Sequence, residues 1–261
     1  MSLKGKTAII TGSTSGIGLG IAESFAAEGM NIVLNGFGDL KEIEKIMADL
    51  KKKGASGVSY NPADLTNAQA ASAMVEKACE EFKSVDVLVN NAGIQHTAPI
   101  EEFPPEKWDL ILSLMLTAPY HLIRTALPVM KKNKWGRIIN IASVHGLVAS
   151  PFKSAYVSAK HGLNGLTKVV ALEAANTGVT CNAICPGWVL TPLVEKQVQD
   201  MAKKDGTDFD KAKEKLLSEK QPQIEFTTPS DIGALALYLC SDAARNVTGT
   251  QMPIDGGWTS R

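Results

Sequence analysis

The sequence predicts an α/β fold, a single-domain Rossmann doubly wound parallel sheet with helices on both faces. Short apolar runs alternate with longer amphipathic stretches. The apolar runs are nearly continuous rather than alternating, as strands buried on both faces require. A glycine cluster joins the first run to the first amphipathic stretch, where a parallel sheet needs a tight turn into its crossover helix.

Residues 7–11 (TAIIT) read as the first strand, and 16–29 as a helix with Ile17, Ile21, Phe25 and Ala26 on one face. Residues 31–34 form the second strand. A charged helix over 40–53 is stopped by Gly54. A strand at 57–60, a helix at 67–82 and a strand at 85–89 (VDVLV) follow. The spacing then predicts one long, mostly apolar helix over 108–131, a strand at 136–141 (GRIINI), a long helix over 156–177 and a strand at 179–184. A helix at 229–240 and a short strand at 251–254 complete the pattern. No repeat, proline-rich linker or low-complexity tract divides it, so residues 1–261 are expected to be one domain. The irregular part is 192–222, rich in Lys, Glu and Gln. It reads as one or two helices forming a lid, because loops after the carboxyl ends of strands border the ligand crevice in such folds.

Composition narrows the partners. Of 261 residues, 44% are hydrophobic and 21% charged, enough for a core and a solvated surface. Lys+Arg and Asp+Glu both number 27, so no basic bias points to nucleic acid. Cys181 and Cys185 have no second pair or nearby His, so no metal is expected, and four reduced thiols suit a cytosolic protein. The amino terminus lacks a signal pattern, and no run of about 18 consecutive apolar residues occurs. A soluble cytoplasmic protein with no membrane partner is the expectation.

Thr11-Gly12-Ser13-Thr14-Ser15-Gly16-Ile17-Gly18 lies between the first strand and the first helix. Glycines permit the turn and close approach to a phosphate, and the helix amino terminus beyond offers free N–H groups. A dinucleotide is the expected ligand, with Gly12, Thr14, Ser15, Gly16, Ile17 and Gly18 as its phosphate cradle. Asn35-Gly36-Phe37-Gly38 ends the second strand with neither a ribose-binding carboxylate nor a basic group; Asp39 comes a little late, and there is no Arg or Lys before Lys41. A basic group there favours a 2′-phosphate, so its absence tilts the expectation to NAD, with Phe37 near the adenosine. Asp64 and Leu65 are placed at the adenine, and Asn91, Ala92 and Gly93 where small residues let a cofactor lie close to the backbone.

Ser143 follows the strand IINIAS, and Tyr156 and Lys160 stand four apart in YVSAK. Residues at that spacing share a helix face. A phenol ionises near pH ~10, and an adjacent ammonium is expected to lower that value, making Tyr156 a proton acceptor near neutrality. Ser143 is the expected partner of the substrate oxygen.

The ordered set TGSTSGIG, NNAG, IINIAS, YVSAK, NAICPGWVLTP and the terminal DGG resembles the short-chain dehydrogenase/reductase family over essentially the whole chain. The resemblance implies a catalytic Ser143, Tyr156 and Lys160, usually a homotetramer, and Pro186, Gly187, Val189 and Thr191 along the nicotinamide. Members of the family carry an Asn that supports a proton relay to the lysine; Met115 stands at that place here. Gln95, His145, Lys153 and Gln197 are two amides, an imidazole and an ammonium suited to a carboxylate. The segments LNGFGD, NNAGIQ, ASVHGLVASPFKSAYVSAKHG and CPGWVLTPLVEKQ resemble family members that oxidise short 3-hydroxy acids. That resemblance implies reversible oxidation of D-3-hydroxybutyrate to acetoacetate with NAD, with Trp188 and Trp258 as apolar contacts to the methyl end. A carrier-protein-linked 3-oxoacyl reductase using NADPH and a non-catalytic nucleotide-binding regulator remain the other readings.

Overall fold

The computed structural model describes residues 2–260. Seven strands form one sheet, each parallel to its neighbours, in the order β3-β2-β1-β4-β5-β6-β7. They are β1 Thr7–Ile10, β2 Asn31–Asn35, β3 Gly57–Asn61, β4 Val87–Asn90, β5 Gly136–Ile141, β6 Val179–Pro186 and β7 Gln251–Ile254. Strand order reverses between β1 and β4. The carboxyl ends of these two strands therefore open a crevice at the switch point, where ligands bind in open α/β sheets.

Alternate side chains of each strand feed two cores. Ala8, Ile10, Ile32 and Leu34 pack with Ile21 and Phe25 of α1 (Gly16–Ala27), Leu50 of α2 (Leu40–Lys53) and Ile232 and Leu239 of the later helix Pro229–Cys240. Ile9, Val33 and Leu88 face Met74 and Val75 of α3 (Ala68–Phe82) on the other side. Gly20 and Gly233 allow the helices of the first layer to touch, since a Cβ on them would run into Pro229 and Ser24 respectively. Asp39 caps α2 through the N–H groups of Lys41 and Glu42, and Gly54 ends it at φ 119.

The long helix expected over 108–131 is not uniform. It is α4 (Pro105–Leu112), a π-helical turn at Ser113–Thr117, then α5 (Ala118–Lys132). Pro119 supplies the reason. It has no N–H for the Met115 carbonyl four residues earlier, and its ring clashes there in α-helical geometry. The wider turn accommodates it, with Ala118 N–H donating to the Ser113 carbonyl. The run Pro105–Lys132 has the length and mean hydropathy (1.4) of a membrane-crossing helix. Ala118, Leu122, Ile123, Ala126 and Met130 of α5 are buried in the sheet's second core.

α6 spans Ser154–Glu173, starting two residues before Tyr156 and ending short of 177, where Asn176 turns the chain at φ 62. The segment after β6 holds α7 (Pro192–Asp205) and α8 (Phe209–Ser218), followed by α9 (Pro229–Cys240). α7 and α8 share a small core of Val198, Ala202, Ala212 and Leu216, separate from the sheet cores.

Candidate active site

A cavity of about 790 Å³ runs along the carboxyl ends of the strands, from Phe37 and Asp64 at one end to Tyr156, Lys160 and Trp258 at the other. Gly12 (φ 60) and Gly16 (φ 55) turn the loop in its floor. A Cβ on Gly12 would meet the Ala92 Cα at 2.9 Å. Asn91 fastens this loop: its Nδ2 donates to the Thr11 and Gly12 carbonyls at 2.9 and 3.0 Å. Thr11 Oγ1 accepts from the N–H groups of Asn91 and Ala92 at 2.9 and 3.0 Å. Gly18 lies behind the loop against the Gly12 carbonyl and does not line the cavity. It permits the approach of α1 instead of meeting a ligand. Ser15 makes no side-chain cap, so the first N–H groups of α1 stay free at a wall formed by Ser15, Gly16 and Ile17. An uncapped helix start over a glycine cradle fits the pyrophosphate of a dinucleotide.

At the far end, Phe37 is 73% exposed, and its carbonyl accepts from Thr14 Oγ1 at 3.1 Å. The Asp64 carboxylate accepts from Thr66 N–H (2.9 Å) and Oγ1 (2.7 Å), which hold it below the usual carboxylate range. Leu65 also lines this part. Asp39 is committed to capping α2. Among the described residues, no Lys or Arg lines the adenosine end.

At the chemical end, Lys160 is buried and donates to the Ile141 carbonyl at 2.6 Å. Burial lowers its pKa to about 8. Its Nζ lies 5.7 Å from the centroid of the Tyr156 ring. Burial pushes the Tyr156 phenol up, and a hydrogen bond with Ser143 works against that rise. The expected lowering by the neighbouring ammonium is therefore reversed. Desolvation at the hydroxyl dominates, and the ammonium is directed to a backbone carbonyl. Ser143 Oγ accepts from His145 N–H at 3.1 Å and lies 3.4 Å from His145 Nδ1.

The groups expected around a carboxylate separate into two sets. Gln95, His145 and Lys153 line the cavity together with Trp188 and Trp258. Burial, then the charge of Lys153, lowers the His145 pKa to about 4, so the imidazole is neutral near pH 7. Burial also lowers Lys153. His145 packs edge-on to Tyr156 and Trp258, with ring centroids 5.9 and 5.4 Å apart. Gln197 does not join them. It is exposed on α7, because Val198 and Ala202 turn inward to α8 and leave Gln197 on the outer side. Pro186, Gly187, Val189 and Thr191 line the wall between α1 and Trp188, as does Gly93 beside Ala92.

A family model described as enoyl-(acyl carrier protein) reductase matches residues 12–259. The chain belongs to the short-chain dehydrogenase/reductase family. As a member of that family it is an oxidoreductase working with a nicotinamide dinucleotide. It is 56% identical to D-beta-hydroxybutyrate dehydrogenase of Cupriavidus necator, over 99% of this chain and 100% of that protein. It is 52% identical to the Rhizobium meliloti protein of the same name, over 98% and 99%. A 3-oxoacyl-[acyl-carrier-protein] reductase of Staphylococcus aureus is 33% identical, over 97% of both chains. Among solved structures, L-sorbose reductase from Gluconobacter frateurii, complexed with NADPH and L-sorbose, aligns over 100% of both chains with TM-score 0.94 and 32% identity.

Met115 stands where the family resemblance implies an Asn. Its side chain is buried and reaches toward Gly93, where an added Cβ would meet Met115 Cε at 3.1 Å. Two contributors escaped the sequence reading. Ser150 Oγ lies 3.0 Å from His145 Nε2, and Asn35 Nδ2 braces the loop after β3 through the Asn61 and Ala63 carbonyls. The dipeptide Ser150-Pro151 marks a turn, and that signal points to the first.

Proposed function

We propose that the chain catalyses the reversible oxidation of D-3-hydroxybutyrate to acetoacetate with NAD. One observation carries the reading: Ser143, Tyr156 and Lys160 share a cavity with the carboxylate-binding chemistry of Lys153, His145 and Gln95. The relatives named D-beta-hydroxybutyrate dehydrogenase support it.

Lys153 pairs with the substrate carboxylate, and neutral His145 and Gln95 donate hydrogen bonds to it. Ser143 Oγ holds the oxygen on C3. Tyr156 takes the hydroxyl proton as the C3–H bond breaks, leaving the ketone. A bound nicotinamide dinucleotide, held by the glycine cradle, would supply the hydride acceptor and a positive charge favouring the phenolate. Lys160 Nζ holds the relay position behind Tyr156. Pro119 leaves the Met115 carbonyl without its α-helical donor, which makes that backbone oxygen the substitute for the family's Asn. Trp188 and Trp258 give the methyl end an apolar wall. Movement of α7 and α8 brings Gln197 to the carboxylate and excludes water.

NAD is preferred to NADP because, among the described residues, no Lys or Arg lines the cavity at the Phe37 end to meet a 2′-phosphate. The family resemblance adds a cytoplasmic homotetramer, and the exposed Val169 and Leu172 on α6 are apolar surface for a second copy to cover. Nicotinamide fluorescence on titration tests the cofactor: NADH should bind at least about tenfold tighter than NADPH, a difference of ~1.4 kcal/mol. Turnover of a 3-oxoacyl thioester with NADPH faster than acetoacetate with NADH would replace this reading with the carrier-protein reductase.

A further inference from the structure

The turn at residues 150–153 ties together three of the side chains assigned to the carboxylate. At its start, Ser150 Oγ meets His145 Nε2 at 3.0 Å. At its end, Lys153 leads directly into α6. Between them, the Phe152 carbonyl accepts from the Ala98 N–H at 3.0 Å, which fastens the loop carrying Gln95. One short turn therefore fixes His145, Lys153 and the Gln95 loop relative to each other.

Its central residue is strained. Phe152 has φ 67, in the left-handed region that a bulky side chain rarely occupies. Pro151 followed by a positive φ is the arrangement of a type II turn, whose third position favours Gly or Asn. Phe152 is 57% exposed, so burial of the side chain does not offset the backbone strain. The hydrogen bonds on either side and the fixed φ of Pro151 hold the residue in place. Strain held by its surroundings clusters at ligand clamps. Here it lies one residue before the ammonium.

We infer that the left-handed backbone at Phe152 positions Lys153, and so sets the enzyme's affinity for the carboxylate of its substrate. The inference rests on Lys153 being the carboxylate partner. A change in the sign of φ at 152 redirects the chain that follows. Lys153 then leaves hydrogen-bonding range of the acid, since such bonds weaken steeply beyond about 3.2 Å. Phe152 is a positioning residue, and its backbone rather than its ring does the positioning.

Two substitutions separate backbone from ring. Phe152→Pro forbids a positive φ and removes no backbone hydrogen bond donated by residue 152. Phe152→Gly keeps the conformation open and removes the ring. Steady-state kinetics with D-3-hydroxybutyrate should show KM raised about tenfold or more by Pro, equivalent to ~1.4 kcal/mol, with kcat within about twofold. The glycine variant should keep KM within about twofold. The KM for the uncharged methyl ester of the same acid should be insensitive to both, which a general loosening of the site would not produce. If the proline variant does not fold, Phe152→Val, whose β-branch resists positive φ, takes its place with a smaller rise in the same direction. Lys153→Met is measured in parallel. If it leaves the acid KM unchanged, the carboxylate assignment fails. If it raises the acid KM while Phe152→Pro or Phe152→Val does not, the positioning role fails. An equal rise in the glycine and proline variants assigns the effect to the ring and also overturns the inference.

Discussion

A buried cation sits against each end of strand β5, Arg137 from the strand itself and Lys160 from α6, and only one of them belongs to a reactive site. Lys160 donates to the Ile141 carbonyl at the strand's last residue. Arg137, its second residue, donates to the Gly136 and Gly178 carbonyls at 2.7 and 3.1 Å. Burial lowers the pKa of both. Their neighbours differ. Lys160 lies beside Tyr156 in a cavity of about 790 Å³. Arg137 stacks on Trp135, 4.6 Å from the ring centroid, and Lys6 shares that ring at 3.8 Å while pairing with Asp86 at 3.4 Å. A shifted cation marks chemistry when a cavity and a proton-transferring hydroxyl accompany it. Without them it belongs to the packing of the sheet's amino end.

The largest break in that comparison is Tyr156→Phe. Oxidation should fall by about 10³-fold or more while NADH binding stays within about twofold, read from turnover and fluorescence titration. Next comes Lys153→Met, which removes a charge-assisted hydrogen bond. It should lower kcat/KM for the acid by about 10- to 100-fold, as expected for ~1.5–3 kcal/mol. Arg137→Met should do the opposite. It removes the two guanidinium hydrogen bonds to the Gly136 and Gly178 carbonyls, so thermal unfolding should show a loss of about 2 kcal/mol while turnover stays within about twofold.

His145 gives a pH dependence of a different kind. Its pKa is about 4 in the folded chain against 6.5 for the free side chain. The unfolded state therefore binds more protons between these values, and stability falls as pH drops from 6.5 toward 4. The upper bound is about 3 kcal/mol, and His145→Gln should flatten that part of the denaturation profile. The Tyr156 phenol, pushed up by burial, stays protonated over that range, and kcat/KM for the alcohol should rise only as the pH goes above neutrality. The smallest effect belongs to Met115→Asn, under about threefold in kcat if the backbone oxygen carries the relay, an energy below ~0.7 kcal/mol.

Much of this follows from patterns that strands and helices impose. The bounds of α2, β5, α9 and β7 agree with the sequence reading because Gly54, the turn residues and the apolar runs mark them. The π turn was hidden because Ser113–Thr117 keeps an apolar helical composition, and only the conflict of Pro119 with the Met115 carbonyl betrays it. Spacing placed Tyr156 and Lys160 on one face. It did not indicate the sign of the phenol's shift, which depends on how far each polar atom is buried. Gln197 has the right chemistry for the substrate, yet the inward apolar face of α7 turns it outward. Phe152 escaped because a left-handed residue is read from Gly or Asn, and this turn has neither.

The most direct test is the absorbance of reduced nicotinamide on mixing the purified chain with D-3-hydroxybutyrate or its L enantiomer, and NAD. Rapid formation of NADH with the D acid alone, abolished in Tyr156→Phe and retained in Arg137→Met, is the expected result. No NADH from the D acid, or equal rates for Tyr156→Phe and the unaltered chain, would contradict it.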